Sequence, residues 1–217
     1  MKNFKIQISD NEISDLKQRL ANTRWPADTI NEGWKKGVPT EYLKGLADYW
    51  QHTFDWKKQE SLLNQYPHFI TQIDGQAIHY LHIQSPVPEA IPLLLLHGWP
   101  GSFADFTKVI EPLTKPENGD VAFHLVIPSI PGFGFSVPVQ EKGWNMMRMA
   151  SAFTELMKQI GYERFAVHGG DMGAGITGIM SGVAAYHLIG THVNTDFYSV
   201  AGWACFQPIT RCLPNRK

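Results

Sequence analysis

Cysteine is almost missing from this chain of 217 residues: it occurs twice, at Cys205 and Cys212. Two are too few for a disulfide scaffold, and their spacing is not that of a zinc site, so they read as ordinary thiols. Long apolar runs are missing too. The longest strongly apolar one, Ile91 to Leu96, is far too short to cross a bilayer. The opening Met1-Lys2-Asn3-Phe4-Lys5-Ile6 runs at once into polar residues and lacks the apolar stretch of a signal peptide. A cytoplasmic protein without a membrane anchor is the expectation. Nor is there an excess of charge of one sign, since 19 Lys and Arg stand against 20 Asp and Glu for a net charge of -1. A basic footprint for nucleic acid and an acidic tail for a charged partner are both excluded. Internal repeats and low-complexity segments do not stand out.

What is there is a globular composition, 43% hydrophobic and 18% charged, in a chain long enough to bury a sizeable core. The first part reads as helical. Ser9 and Glu12 have the spacing of a capping box. Ile13, Leu16 and Leu20 then share one helical face, and Asp15 and Arg19 pair on another. Thr40 is placed to cap a second helix carrying Leu43, Leu46 and Trp50. A third stretch runs from Asp55 to Gln65 and ends before Pro67. Such an aromatic-rich lead suits a cover packed against something larger.

From residue 68 strands and helices alternate. Strands are expected at 69–73, 77–83, 92–96, 123–127, 164–168 and 188–193, with Asp74-Gly75 as a hairpin turn. Helices are expected at 104–113, 144–160 and 173–185, with Gly161 closing the second. Short connections between alternating elements argue an α/β fold with a mainly parallel sheet. The chain therefore divides into a helical segment 1–67, an α/β core 68–197 and a tail 198–217.

The most informative stretch is Gly169-Gly170-Asp171-Met172-Gly173, set between an expected strand and an expected helix. This is the setting of a nucleophile elbow, a tight strand-to-helix turn with small flanking residues. The following helix offers free N–H groups and the positive end of its dipole, both of which favour an anion. Aspartate in place of the better-known serine changes the chemistry. A carboxylate needs no base to activate it at neutral pH, and it attacks a strained or activated carbon to form an alkyl ester. By itself the motif is equally compatible with an aspartate that merely caps the helix. The second loop, Leu96-His97-Gly98-Trp99-Pro100-Gly101-Ser102, follows the apolar strand. In an α/β-hydrolase fold one oxyanion donor is the amide after the nucleophile, here Met172, and the other comes from this loop, at Trp99. Alone the loop is an ordinary Gly-Pro turn; with the elbow it forms an ordered pair.

The chain resembles the epoxide hydrolase family of the microsomal type, within the α/β-hydrolase superfamily. The resemblance is carried in the lead segment by Thr23-Arg24-Trp25-Pro26, by Gly33-Trp34 with Gly37, by Tyr42-Leu43, by Tyr49-Trp50 and by Phe54-Asp55-Trp56. It continues through the loop at 97–102, Ile127-Pro128-Ser129, Pro131-Gly132-Phe133-Gly134-Phe135-Ser136, the elbow, and Gly190-Thr191-His192-Val193-Asn194. The lead segment discriminates, because haloalkane dehalogenases and soluble-type epoxide hydrolases share the elbow and usually lack that lead. The resemblance implies that Asp171 opens a small-molecule epoxide to an ester, which water activated by a histidine–acid pair hydrolyses to a diol. It also implies that His97, Gly98, Pro100 and His192 line the substrate site. No cofactor and no metal are expected, and oligomeric state is not readable.

The family order is nucleophile, lid, acid, histidine, and only 46 residues, 172 to 217, follow Asp171. They contain Asp196, His187 and His192, all too early for the family acid and base, while Tyr198 does not match a lid tyrosine. A C-terminally truncated chain is the expectation, able at most to form the ester once. The alternatives are an inactive remnant or interaction module of the same fold, and dehalogenase-like chemistry on a halogenated carbon. His124 is expected in the core or at a strand edge, and His79 and His82 lack the spacing of a metal site.

Overall fold

The computed structural model describes residues 1–26, 33–117 and 119–195. The expected tail 198–217, with both cysteines, Asp196 and Tyr198, lies outside the described residues. Backbone contacts divide the chain into two units, Lys5–Gln65 and a second made of Met1–Phe4 with the chain from Tyr66 onward.

The first unit is helical. Helix α1, Asp10–Ala21, begins at the expected capping box: Ser9 Oγ accepts from the Glu12 amide at 3.3 Å, and Glu12 Oε2 accepts from the Ser9 amide at 2.9 Å. Arg19 and Asp15 pair at 2.7 Å, one turn apart. A 3₁₀ turn, Gly33–Lys36, leads to α2, Thr40–His52. Thr40 is the first residue of α2 rather than its cap. Pro39 holds the cap position and offers no side-chain bond, because its ring presets an extended entry but carries no acceptor. Asp55 caps α3, Trp56–Leu63, through the Lys58 amide at 3.1 Å. The loop before α1 is tied to α3: Asn64 bonds both backbone groups of Ile6 at 2.9 Å, and Glu60 accepts from the Ile8 amide at 2.7 Å.

The second unit is a seven-stranded sheet in the order β1-β2-β3-β5-β4-β6-β7. Its strands are β1 (Lys2–Phe4), β2 (His68–Ile73), β3 (Gln76–Ile83), β4 (Ile91–Leu96), β5 (Phe123–Pro128), β6 (Phe165–Gly170) and β7 (Leu188–Asn194). β1, β2, β3 and β5 pair antiparallel, while β5, β4, β6 and β7 pair parallel. The parallel character is thus confined to one half of the sheet. Asp74 and Gly75, both at positive φ, form the two-residue turn of the β2–β3 hairpin. β1 was not expected; three residues are too few for a period of two to register.

Strand β4 reads Ile-Pro-Leu-Leu-Leu-Leu because both sides of the sheet are apolar there. Leu94 and Leu96 pack into a core with Phe153 and Leu156 of α5 (Met146–Gln159) and Ile176 and Met180 of α6 (Met172–Val183). Gly161, at φ 95, closes α5 as expected, and the Tyr162 amide reaches back to the Met157 carbonyl at 2.9 Å. The expected helix 104–113 is instead a 3₁₀ segment, Phe103–Val109, followed by α4, Ile110–Thr114. Pro112 is the reason. In one continuous helix it would have no N–H for the Lys108 carbonyl, whereas in the first turn of a new helix no such bond is required.

Candidate active site

The elbow forms where β6 ends and α6 begins. Asp171 occupies the cap position at φ 50, ψ -122, a conformation rarely adopted by anything but glycine. The turn is tight enough to dictate its neighbours. A Cβ at Gly173 would lie 2.1 Å from the Leu96 carbonyl oxygen, and one at Gly169 would lie 2.1 Å from that of Gly173. Both positions tolerate only a hydrogen, which is why the sequence reads small-x-Asp-x-small.

The Asp171 side chain does not cap α6. Its Oδ1 instead accepts from the Trp99 amide at 2.8 Å, across 72 residues of sequence. The loop after β4 reaches the elbow because Gly98 leaves room: a Cβ there would sit 2.6 Å from that of Asp171. The carboxyl is held below the ordinary range by the Trp99 amide first and the Met172 amide second, against a smaller opposing effect of desolvation. At neutral pH Asp171 is an exposed carboxylate held by two backbone donors.

The other expected site residues separate into groups. Gly98 and Trp99 stand at the carboxylate, and the peptide bond from Trp99 to Pro100 is cis. His97 is buried. It is 2% exposed, its Nδ1 donates to the Gly98 carbonyl at 3.0 Å and its Nε2 accepts from the Ile130 amide at 3.1 Å. Both ring nitrogens are committed to backbone, so neither is free to bond a ligand. His192 is exposed on β7 and pairs with His168 on β6, Nδ1 to Nδ1 at 2.7 Å, with the rings stacked at 4.8 Å. Burial first, and then His192, holds His168 below the ordinary imidazole range. Neither ring is paired with a carboxylate among the described residues. His187 bonds the Glu163 carbonyl at 2.8 Å. His124, half-buried on the interior strand β5, accepts from the Ser85 amide at 3.0 Å.

Sequence reading missed three features. Ser102 and Asp105 form a second capping box, with the Ser102 amide donating to Asp105 Oδ2 at 3.1 Å, which stiffens the loop beyond Pro100. The Ser-x-x-Asp spacing was the available signal. His168 is the cross-strand partner of His192, and only the register of β6 on β7 reveals it. The third is a trough of about 620 Å³ on the sheet face away from α5 and α6. Leu93, Leu95, Phe106, Leu113 and Phe123 line it, and the histidine pair borders it. This concavity does not include Asp171 or Trp99, so the elbow and this hollow are separate features.

Among described residues, no helix is long and apolar enough to cross a membrane, and no three His, Cys, Asp or Glu side chains cluster to hold a metal ion.

Residues 1–106 match the family model described as epoxide hydrolase N terminus, and residues 91–199 match that of the alpha/beta hydrolase fold. The chain is 42% identical over 199 residues to epoxide hydrolase 1 of the rabbit Oryctolagus cuniculus, covering 88% of this chain and 44% of that protein. The juvenile hormone epoxide hydrolase of the silkworm Bombyx mori superposes with a TM-score of 0.83 at 36% identity, covering 89% of this chain and 52% of the other. The epoxide hydrolase of Aspergillus niger gives 0.80 at 32%, covering 90% and 52%. The chain thus spans about half the length of the proteins it matches.

Proposed function

Since the chain belongs to the α/β-hydrolase fold family, on its epoxide hydrolase branch, we propose that Asp171 is the nucleophile of epoxide ring opening. One observation carries the reading: the Trp99 amide 2.8 Å from Asp171 Oδ1. It fixes one carboxylate oxygen and leaves the other free to attack. In the first step Asp171 Oδ2 forms a bond to an epoxide carbon, the carbon–oxygen bond of the ring breaks, and the released alkoxide takes a proton from water. The product is a hydroxyalkyl ester.

In the second step water adds to the ester carbonyl carbon, and negative charge develops on Oδ1. The Trp99 amide, bonded to Oδ1, would hold that charge, and the Met172 amide, which also lowers the Asp171 pKa, is the candidate second donor. Collapse releases the diol and restores the carboxylate. This step requires a general base. The step that Asp171 and its backbone donors carry by themselves is ring opening. The substrate class is a small epoxide.

Styrene oxide is a suitable probe. Intact-mass spectrometry of the folded chain should show a gain equal to one styrene oxide, located at Asp171 by peptide mapping and lost in Asp171→Asn. Folded protein that gains no mass at Asp171 would refute the assignment. Halide release from a haloalkane without any reaction with the epoxide would move the reading to dehalogenase chemistry.

A further inference from the structure

The Gly98–Trp99 peptide has two ends, and both are bonded. Its N–H donates to Asp171 Oδ1 at 2.8 Å, and its carbonyl oxygen accepts from His97 Nδ1 at 3.0 Å. A trans peptide is a rigid plane in which C=O and N–H point in opposite directions. Fixing one end therefore aims the other. Gly98 is the residue for which rotation of that plane meets least steric resistance, because it has no Cβ and could accommodate one only by displacing Asp171.

We propose that His97 is a positioning residue for the nucleophile: through its Nδ1–H it holds the Gly98–Trp99 peptide plane so that the Trp99 amide faces Asp171. The tautomer this demands is imposed from behind. The Ile130 amide donates to Nε2 at 3.1 Å, so the ring proton resides on Nδ1. Phe133 sets its ring against the imidazole at 5.7 Å, near perpendicular, and the ring is 2% exposed. Asp105 is the charged group that acts on it, and it acts weakly beside burial.

Ile130 is itself anchored. The turn that follows it closes with the Ser136 hydroxyl donating to the Ser129 carbonyl at 2.7 Å. The same hydroxyl accepts from the His79 amide at 3.0 Å. A bonded path thus runs from β3 through the turn at 129–136 and His97 to the amide at the nucleophile. Each bond in it polarises the next in the same direction, which strengthens the last donor.

This inference builds on Asp171 as the reactive group, but its test does not use reactivity. In the 217-residue chain, the Asp171 carboxyl is titrated by carbon NMR, and the Trp99 amide proton is followed in the same samples. His97→Leu removes both ring bonds. His97→Gln places an amide near Nε2, and His97→Asn places one near Nδ1. Leu and Gln are expected to raise the Asp171 midpoint and move the Trp99 amide upfield, while Asn restores both to wild-type values. A general structural role would instead make Gln and Asn alike. An Asp171 midpoint unchanged in folded His97→Leu overturns the proposal. Should that variant not fold, nitrogen NMR of the wild-type imidazole decides: a proton on Nε2 near neutral pH overturns it, and one on Nδ1 supports it. Failure of Asp171 to gain a styrene oxide adduct, with the NMR pattern intact, would strike the nucleophile reading and leave this one standing.

Discussion

His79 is fully buried, with Nε2 at 2.9 Å from His68 Nδ1 and Nδ1 at 2.8 Å from Ser129 Oγ. Phe4, Phe103 and Phe135 surround the ring. Burial, aided by His68, pushes its pKa down to about 3. In the unfolded chain the same imidazole binds its proton at an ordinary value, so between that value and about 3 only the unfolded state is protonated. Stability contributed by neutral His79 is therefore complete above the ordinary imidazole range and is lost as pH falls toward 3, at about 1.4 kcal/mol per pH unit. His82, His97 and His168 are lowered too, chiefly by burial, and act in the same sense. Urea midpoints measured between pH 7 and pH 4.5 should fall steeply in wild type. They should fall less steeply in His79→Gln, by about the slope of one group. Parallel profiles would mean that His79 titrates normally.

At the scale of elements, the glycines of α6 and its approaches have opposite roles. Gly173 faces the Leu96 carbonyl, whereas a Cβ at Gly182 would meet nothing within 4 Å. Gly173→Ala should cost on the order of 3 kcal/mol through overpacking, and Gly182→Ala should add roughly 0.5–1 kcal/mol through helix propensity. Thermal melts of the two variants check both signs; equal shifts would remove the steric account of the elbow. These residues also show what a sequence discloses. The elbow was legible because its sterics leave a mark on composition: two positions that admit no Cβ must be glycine. The capping box at Ser9 was legible because both its bonds are local. The 3₁₀ segment at 103–109 was not. Its apolar spacing suits either helix type, and Pro112 decided the matter only once the chain on both sides was in place. The bonding of His97 was not legible for a similar reason. Nothing local says that its Nε2 meets an amide 33 residues away.

For the whole sheet-bearing unit, the topology follows from two kinds of connection. The Asp74-Gly75 turn gives the antiparallel β2–β3 pair, β1 reaches β2 only after the helical stretch carrying α1, α2 and α3, and helical crossovers give the parallel half, β5-β4-β6-β7. The sequence pattern pointed to the parallel half, where α5 and α6 lie between strands. It understated the antiparallel half, since only Asp74-Gly75 advertises a reversal. At the parallel end, β7 is paired on one side only among the described residues, and its strand is exposed from Ile189 onward. Ile189 is 50% exposed, and the backbone left unpaired along this side of β7 among the described residues is a template for another chain. Ile189→Lys should reduce concentration-dependent self-association without altering the far-ultraviolet spectrum. Sedimentation velocity over a range of concentrations measures it, and an unchanged distribution would mean that β7 does not drive association.

The left-handed backbone at Asp171 carries one more consequence. A residue with a Cβ held there gives up about 1–3 kcal/mol that glycine would keep. Relaxing this turn would make a sturdier protein and a chemically silent one. Mutational drift toward thermal robustness and selection for reactivity therefore pull this codon in opposite directions. On the role proposed for Asp171, glycine at this position would keep the turn at lower cost and lose the nucleophile.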